Sequence, residues 1–118
     1  MLIRDALQAE KLEVRSPEAD GVKIQWLLDE KCGTPNFCLR RFAIQPGGFT
    51  PSHTHDWEHE VYILNGVGLL VTEEGEHHLQ PDIAVLVQPN EVHQFRCVGQ
   101  EPLEFICLVP NGPATEGH

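Results

Sequence analysis

The feature that most constrains this chain is its rhythm. Short apolar segments are interrupted every few residues by Gly, Pro or Asn. Such punctuation leaves little room for a long amphipathic helix and reads as an all-β domain. The candidate strands are Val22–Leu28, Phe37–Ile44, Glu60–Leu64, Val67–Thr72, Glu76–Leu79, Ile83–Val87, Val92–Val98 and Leu103–Val109. Parity sharpens several of them. Leu103, Phe105, Cys107 and Val109 share one face with Glu104 on the other, and His93, Phe95 and Cys97 likewise share a face. Ile83–Val87 is apolar at every position, which predicts a strand covered on both sides. Asn65-Gly66 carries the residues of a type I′ hairpin turn, and Glu74-Gly75 joins the next pair. Pro46-Gly47-Gly48 predicts a break in the chain, residues 1–12 are weakly helical, and residues 111–118 read as a frayed tail. So many short strands in 118 residues predict a closed barrel or a two-sheet jelly roll.

The length fits one domain over 1–118, and no repeat, charge block or linker divides it. Eight Lys and Arg against 18 Asp and Glu give a net charge of −10, which argues against a nucleic-acid partner. Met1 to Leu12 mixes charges through its apolar residues, unlike a signal peptide, and no run approaches the ~20 apolar residues of a membrane span. Cys32, Cys38, Cys97 and Cys107 form no CxxC pair and read as reduced thiols. Together these predict a cytoplasmic protein with no membrane partner.

Histidine is the unusual component: seven residues, beside one Met and one Tyr. His53, His55 and His59 fall within His53-Thr54-His55-Asp56-Trp57-Glu58-His59. On an extended chain 53 and 55 project from one face, and His59 opens a strand whose inward set continues through Val61 and Ile63. His93 comes from a distant strand and shares its face with Phe95. Three close imidazoles and a fourth brought in by the fold can converge on one transition-metal ion; the plainer alternative is a set of surface or hydrogen-bonded histidines. Glu58 and Glu60 flank His59, and either carboxylate is an alternative ligand; parity favours His59. His77-His78 sit among Glu73, Glu74 and Glu76 and face opposite ways, so they read as exposed, as does His118.

These residues also carry a family resemblance. Gly47-x5-His53-x-His55-x3-His59-x6-Gly66 resembles the first cupin motif, with His where that motif usually has Glu. Asp82-x5-Gln88-Pro89-Asn90-x2-His93 resembles the second, with Asp82 for Gly, Gln88 for Pro, Asn90 for Gly, and Cys97 where Asn is common. Asn90 is the mildest departure, because Asn tolerates the left-handed conformation of a Gly. The motifs occupy about 47–66 and 82–97, and with Asn90-Glu91-Val92-His93 they are most similar to the small four-histidine, manganese-binding single-domain cupins. The resemblance implies a jelly-roll β-barrel (double-stranded β-helix), a metal held by His53, His55, His59 and His93 inside one mouth, and a homodimer. Mn or Fe is the expected ion, with Ni, Cu or Zn also compatible with imidazole. Four neutral ligands would leave the ion its full +2 charge, a stronger Lewis acid than a site containing a carboxylate. A closed tetrahedral Zn site is the structural alternative.

Around that centre, Phe95, Phe105 and Ile63 are core residues first and pocket walls second. Cys107 reads as a small buried hydrophobe, or as an oxidation-sensitive thiol near the metal. Arg40 and Arg41 lie on opposite strand faces, so at most one points inward. An inward Arg40 would pair a substrate carboxylate, whereas a solvated or salt-bridged Arg is the plainer reading. Asp56, Glu58 and Glu60 form a solvated rim, one of which can accept the second ring N–H of a ligand histidine. The functional expectation is a metal-dependent oxidoreductase, dioxygenase-like or peroxide-using, taking a small-molecule substrate or oxidant. The rivals are a non-catalytic metal- or ligand-binding cupin, and an isomerase or lyase working through the same Lewis acid.

Overall fold

The computed structural model describes residues 1–115. Its strands are β1 (Leu12–Glu13), β2 (Asp20–Leu28), β3 (Phe37–Phe49), β4 (His59–Asn65), β5 (Gly68–Thr72), β6 (Gly75–Leu79), β7 (Ala84–Val87), β8 (Gln94–Cys97) and β9 (Leu103–Pro110). They form one curled antiparallel sheet in the order β6-β5-β8-β3-β9-β4-β7, with β2 added to β3 and β1 to β2. Every candidate strand exists, and the fold is the jelly-roll barrel expected for its pattern. Alternation explains the interior. On β9, Leu103, Phe105, Cys107 and Val109 are buried, and on β4, His59, Val61 and Ile63 are buried while Glu60 and Tyr62 are exposed. Among the described residues no helix is long and apolar enough to cross a membrane.

Pro46-Gly47-Gly48 does not end a strand. It makes a corner inside β3. Up to Ile44 the strand pairs with β9, and beyond the corner Phe49 pairs with Arg96 of β8. The partner β2 skips the intervening residues, its register passing from Val22↔Ile44 to Asp20↔Phe49. A Cβ at Gly48 would lie 2.4 Å from the Asp20 carbonyl oxygen, so only glycine permits this close pass. The corner carries the chain from one layer to the other and aims the following residues across the barrel mouth.

Asn65-Gly66 is likewise not a type I′ hairpin. Only Gly66 has positive φ, at 86°, and β4 pairs with β7 and β9 rather than with β5. The dipeptide is a crossing between layers, and a Cβ on Gly66 would sit 2.3 Å from the Pro102 carbonyl oxygen. Packing of the 102–103 backbone against the turn overrides the local hairpin preference. Glu74-Gly75 does form a hairpin, Thr72 facing Gly75 across it.

Ile83–Val87 is not covered on both sides. Strand β7 pairs only with β4, and Leu86 is 52% exposed beside Tyr62 at 44%. Its apolar outer residues reflect a bare sheet face rather than a second layer. Residues 1–12 form only a short 3-10 turn, Ala6–Gln8, capped by the Asp5 carboxylate. The buried Gln25 amide holds that turn by donating to the Ala6 and Ala9 carbonyls at 2.7 and 3.1 Å. The stretch read as a frayed tail is packed through Pro113–Thr115, where Thr115 is buried and its hydroxyl donates to the Glu30 carboxylate. The rest of it, including His118, lies outside the described residues.

Candidate metal centre

The two histidine-bearing stretches meet backbone to backbone. His53 and His93 exchange N–H···O bonds of 3.2 and 3.0 Å, and the Asn90 N–H donates to the His55 carbonyl. Thr50 anchors the approach, its hydroxyl accepting the Phe95 N–H at 2.9 Å and its own N–H donating to the Phe95 carbonyl at 2.9 Å. Asn90 (φ 69°) and Asp82 (φ 72°) both hold the left-handed conformation expected of glycine there. Asp82 gains a further tie, accepting the Tyr62 hydroxyl at 2.8 Å.

These constraints bring four imidazoles together. Ring centroids are 4.1 Å apart for His53 and His55, 5.0 Å for His53 and His93, 5.3 Å for His55 and His93, 5.0 Å for His55 and His59, and 5.1 Å for His59 and His93. One nitrogen from each of His53, His55 and His93 lies within 4.8 Å of the others. His59 is buried against two of these rings, His55 and His93, but stands outside the three whose nitrogens meet that spacing. Its Nε2 has no hydrogen-bond partner, while its Nδ1 faces Cys107 Sγ at 3.2 Å and Arg40 Nη2 at 3.4 Å.

A buried imidazole nitrogen left without a partner is costly unless something occupies it. Three further imidazoles beside it are the donor set a transition-metal ion accepts. His93 is already set for such a role. Its Nδ1 lies 2.9 Å from the Glu91 carbonyl, which can only accept, so Nδ1 carries the proton and Nε2 keeps its lone pair. The second ring nitrogens of His59 and His93 therefore turn to a thiol, a guanidinium and a backbone carbonyl rather than to the carboxylates of Asp56, Glu58 or Glu60. Those acids are exposed, and Glu60 points to the outer face with Tyr62. His77 and His78 are exposed on the β6 hairpin.

Burial, followed by the neighbouring His53, His93 and Arg40, holds His55 far below the usual imidazole range, at about 4. Burial and then Arg40 hold His59 at about 3, and burial followed by His93 lowers His53. At neutral pH these rings are unprotonated and ready to bind a cation. The unfolded chain protonates near the ordinary 6.5, so the folded metal-free protein keeps full stability above that pH. It loses stability as pH falls from 6.5 toward about 3. The unfolding temperature of metal-free protein is expected to drop steadily on acidification, with a shallower slope in His59→Leu. Equal slopes in the two proteins would contradict the assignment.

Beneath the imidazoles lies a cavity of about 220 Å³. Phe42, Phe105 and Phe95 form a stacked floor with centroid separations of 5.2 and 4.7 Å, and Val22, Thr50, Trp57, Arg40 and Cys107 complete the wall. Arg40 points inward and is buried, whereas Arg41 points outward and pairs with Glu104 at 2.9 Å. Cys107 thus lies beside the imidazoles, and burial pushes its thiol up despite Arg40. Two contributors lacked a clear sequence signal. Trp57 stacks flat on His55 at 4.6 Å and 5°, and Trp26 backs the Arg40 guanidinium at 5.5 Å.

Comparison with known proteins agrees with this architecture. A family model described as a cupin domain matches residues 40–109. The 1-methylthio-D-xylulose 5-phosphate methylsulfurylase of Rhodospirillum rubrum is 34% identical over 71 residues. That alignment covers 60% of this chain but 46% of the relative, so the chain spans about half the length of the curated relative it matches. Among solved structures, the polyketide cyclase RemF from Streptomyces resistomycificus superposes with a TM-score of 0.90 at 29% identity, covering 95% of this chain and 80% of RemF. A cupin-2 domain protein from Rhodospirillum rubrum gives 0.79 at 26% identity, covering 95% and 75%.

Proposed function

The chain belongs to the cupin family, and from that premise we propose that it is a metal-dependent enzyme of small molecules, holding one divalent transition-metal ion on His53, His55, His59 and His93. The observation that carries this reading is the buried, partnerless Nε2 of His59 on a ring that packs beside those of His55 and His93. Mn or Fe is the expected ion in the cell, although Ni, Cu and Zn also bind imidazole. When bound, the ion would supply Lewis acidity toward an oxidant or substrate.

The chain's own residues do the rest. The Glu91 carbonyl keeps the proton on His93 Nδ1. A ligating Nε2 on His59 likewise requires the proton on Nδ1, which then donates to Cys107 Sγ. Trp57 fixes the plane of His55, and the Phe42–Phe105–Phe95 floor excludes water. Among the described residues no Asp or Glu lines the cavity, so none of them supplies a carboxylate acid–base pair. That absence favours a non-haem oxidoreductase, dioxygenase-like or peroxide-using. A second reading, non-redox ring closure or isomerisation by the same Lewis acid, draws support from the 29% identity to a polyketide cyclase across 95% of the chain. A homodimer is proposed through the bare face carrying Tyr62 and Leu86.

The test begins with metal analysis of protein purified from its own host without metal-affinity chromatography. Oxygen or peroxide consumption is then followed across a panel of substrates. Metal-dependent consumption supports the redox reading, and metal-loaded protein that turns over substrate without oxidant supports the second. Loaded protein that transforms nothing in the panel leaves a binding module.

A further inference from the structure

Among the described residues Arg40 is the one buried arginine or lysine beside the cavity, at 8% exposure, and no carboxylate there pairs with it. Its guanidinium lies over Phe42 at 5.0 Å and Trp26 at 5.5 Å, which hold it by cation–π contact on apolar faces. Nη2 donates to Cys107 Sγ at 2.9 Å, and Nε is buried with no hydrogen-bond partner. Guanidinium does not shed its proton in proteins, so this position keeps a full positive charge with aromatic rings, a sulfur and imidazoles for neighbours. Burying an ion without an opposite charge is unfavourable, and a structural arginine would ordinarily bring its own carboxylate, as Arg41 does with Glu104.

The rest of the cavity deepens the imbalance. Among the described residues its lining contains no Asp or Glu. The missing negative charge is therefore one that a ligand brings. We propose that the cavity takes a small organic acid, its carboxylate recognised by Arg40 and its apolar body lying on the Phe42–Phe105 floor. This rests on the cavity beneath the imidazoles being the substrate cavity. The carboxylate need not be the reacting group. Arg40 is a specificity-determining residue that discriminates an anion from a neutral molecule of the same shape. The pairing is charge-assisted, and guanidinium offers carboxylate two parallel donors.

The test uses metal-free protein and three matched probe pairs of increasing size: formate and formamide, acetate and acetamide, benzoate and benzamide. Binding is read by ligand-observed NMR titration. At least one acid is expected to outbind its amide by roughly tenfold or more, the size of a charged hydrogen bond. Arg40→Met is expected to bring that ratio to about one, and Arg40→Lys to lower it several-fold while keeping it above one. If Arg40→Met does not fold, the Arg40→Lys ratio carries the test. The proposal fails if no acid outbinds its amide, or if the preference is the same in native protein and the variants. An acid preference seen only after metal loading, and unchanged in the variants, belongs to the metal and also overturns it. Because the measurement is made without metal, a negative metal analysis would sink the metalloenzyme reading and leave this result standing.

Discussion

Replacing His59 with alanine is expected to reduce bound metal from about one ion per chain to a small fraction, while His77→Ala leaves it unchanged. The contrast follows from position. His59 opens β4 inside the barrel, with Nε2 buried and unpartnered and its ring beside His55 and His93, whereas His77 lies on an exposed hairpin where its Nε2 faces the Thr72 hydroxyl at 3.3 Å. Losing an outer partner of a metal ligand typically weakens affinity by about 10–100-fold, and losing the ligand itself costs more. Substitution also replaces a costly buried polar atom with a methyl, so His59→Ala need not unfold the protein. Metal per chain is read by elemental analysis after equilibration at limiting metal, with circular dichroism to confirm folding. Equal loss in both variants, or in neither, refutes the four-imidazole centre.

Phe105→Ala is expected to produce the largest loss of stability. Phe105 is 2% exposed and lies where three strands meet, opposite Phe42 of β3 and Ile63 of β4. Its ring stacks on Phe42 and Phe95 together, so truncation opens a void between the two layers and removes both aromatic contacts. Such truncations cost about 3–5 kcal/mol, against a total stability of about 5–15 kcal/mol for a domain. Phe105→Leu keeps most of the volume and is expected to cost under about 1.5 kcal/mol. The urea midpoint of each variant measures the difference. Near-equal midpoints for Phe105→Ala and native protein would mean that Phe105 is a pocket wall and not a keystone of the core.

Both predictions concern residues that parity already placed. Period-two alternation depends on the pleat, which is local, so Phe105, Cys107, His93 and Phe95 read as inward from their strands alone. Arg40 and Arg41 were constrained to opposite faces for the same reason. Which of the two enters the barrel depends on the strands beside β3, and no local rule supplies that. Asn65-Gly66 shows the converse failure. Its residue types satisfy a hairpin turn, but the backbone at 102–103 occupies the space beside Gly66 and the chain crosses instead. Strand β7 misleads in another way, because an apolar run does not reveal whether its second face meets protein or is left bare.

What the sequence determined by itself was the all-β class, the strand positions, the inward face of each clear strand, and the close spacing of His53, His55 and His59. These depend on periodicity and on residue chemistry, both of which are written along the chain. Tertiary structure alone decided that His53 and His93 are backbone partners, that Cys107 and Arg40 stand behind His59, that Trp57 stacks on His55, and that Trp26 backs Arg40. It also left Arg40 without a carboxylate among the described residues. Trp57 and His55 are near neighbours in sequence, but the other relations join residues from 14 to 67 positions apart, as Trp26 and Arg40 are 14 apart while Arg40 and Cys107 are 67 apart. Pairing of β9 with both β3 and β4 brings Arg40, Cys107 and His59 together, and the separate meeting of His53 with His93 completes the group.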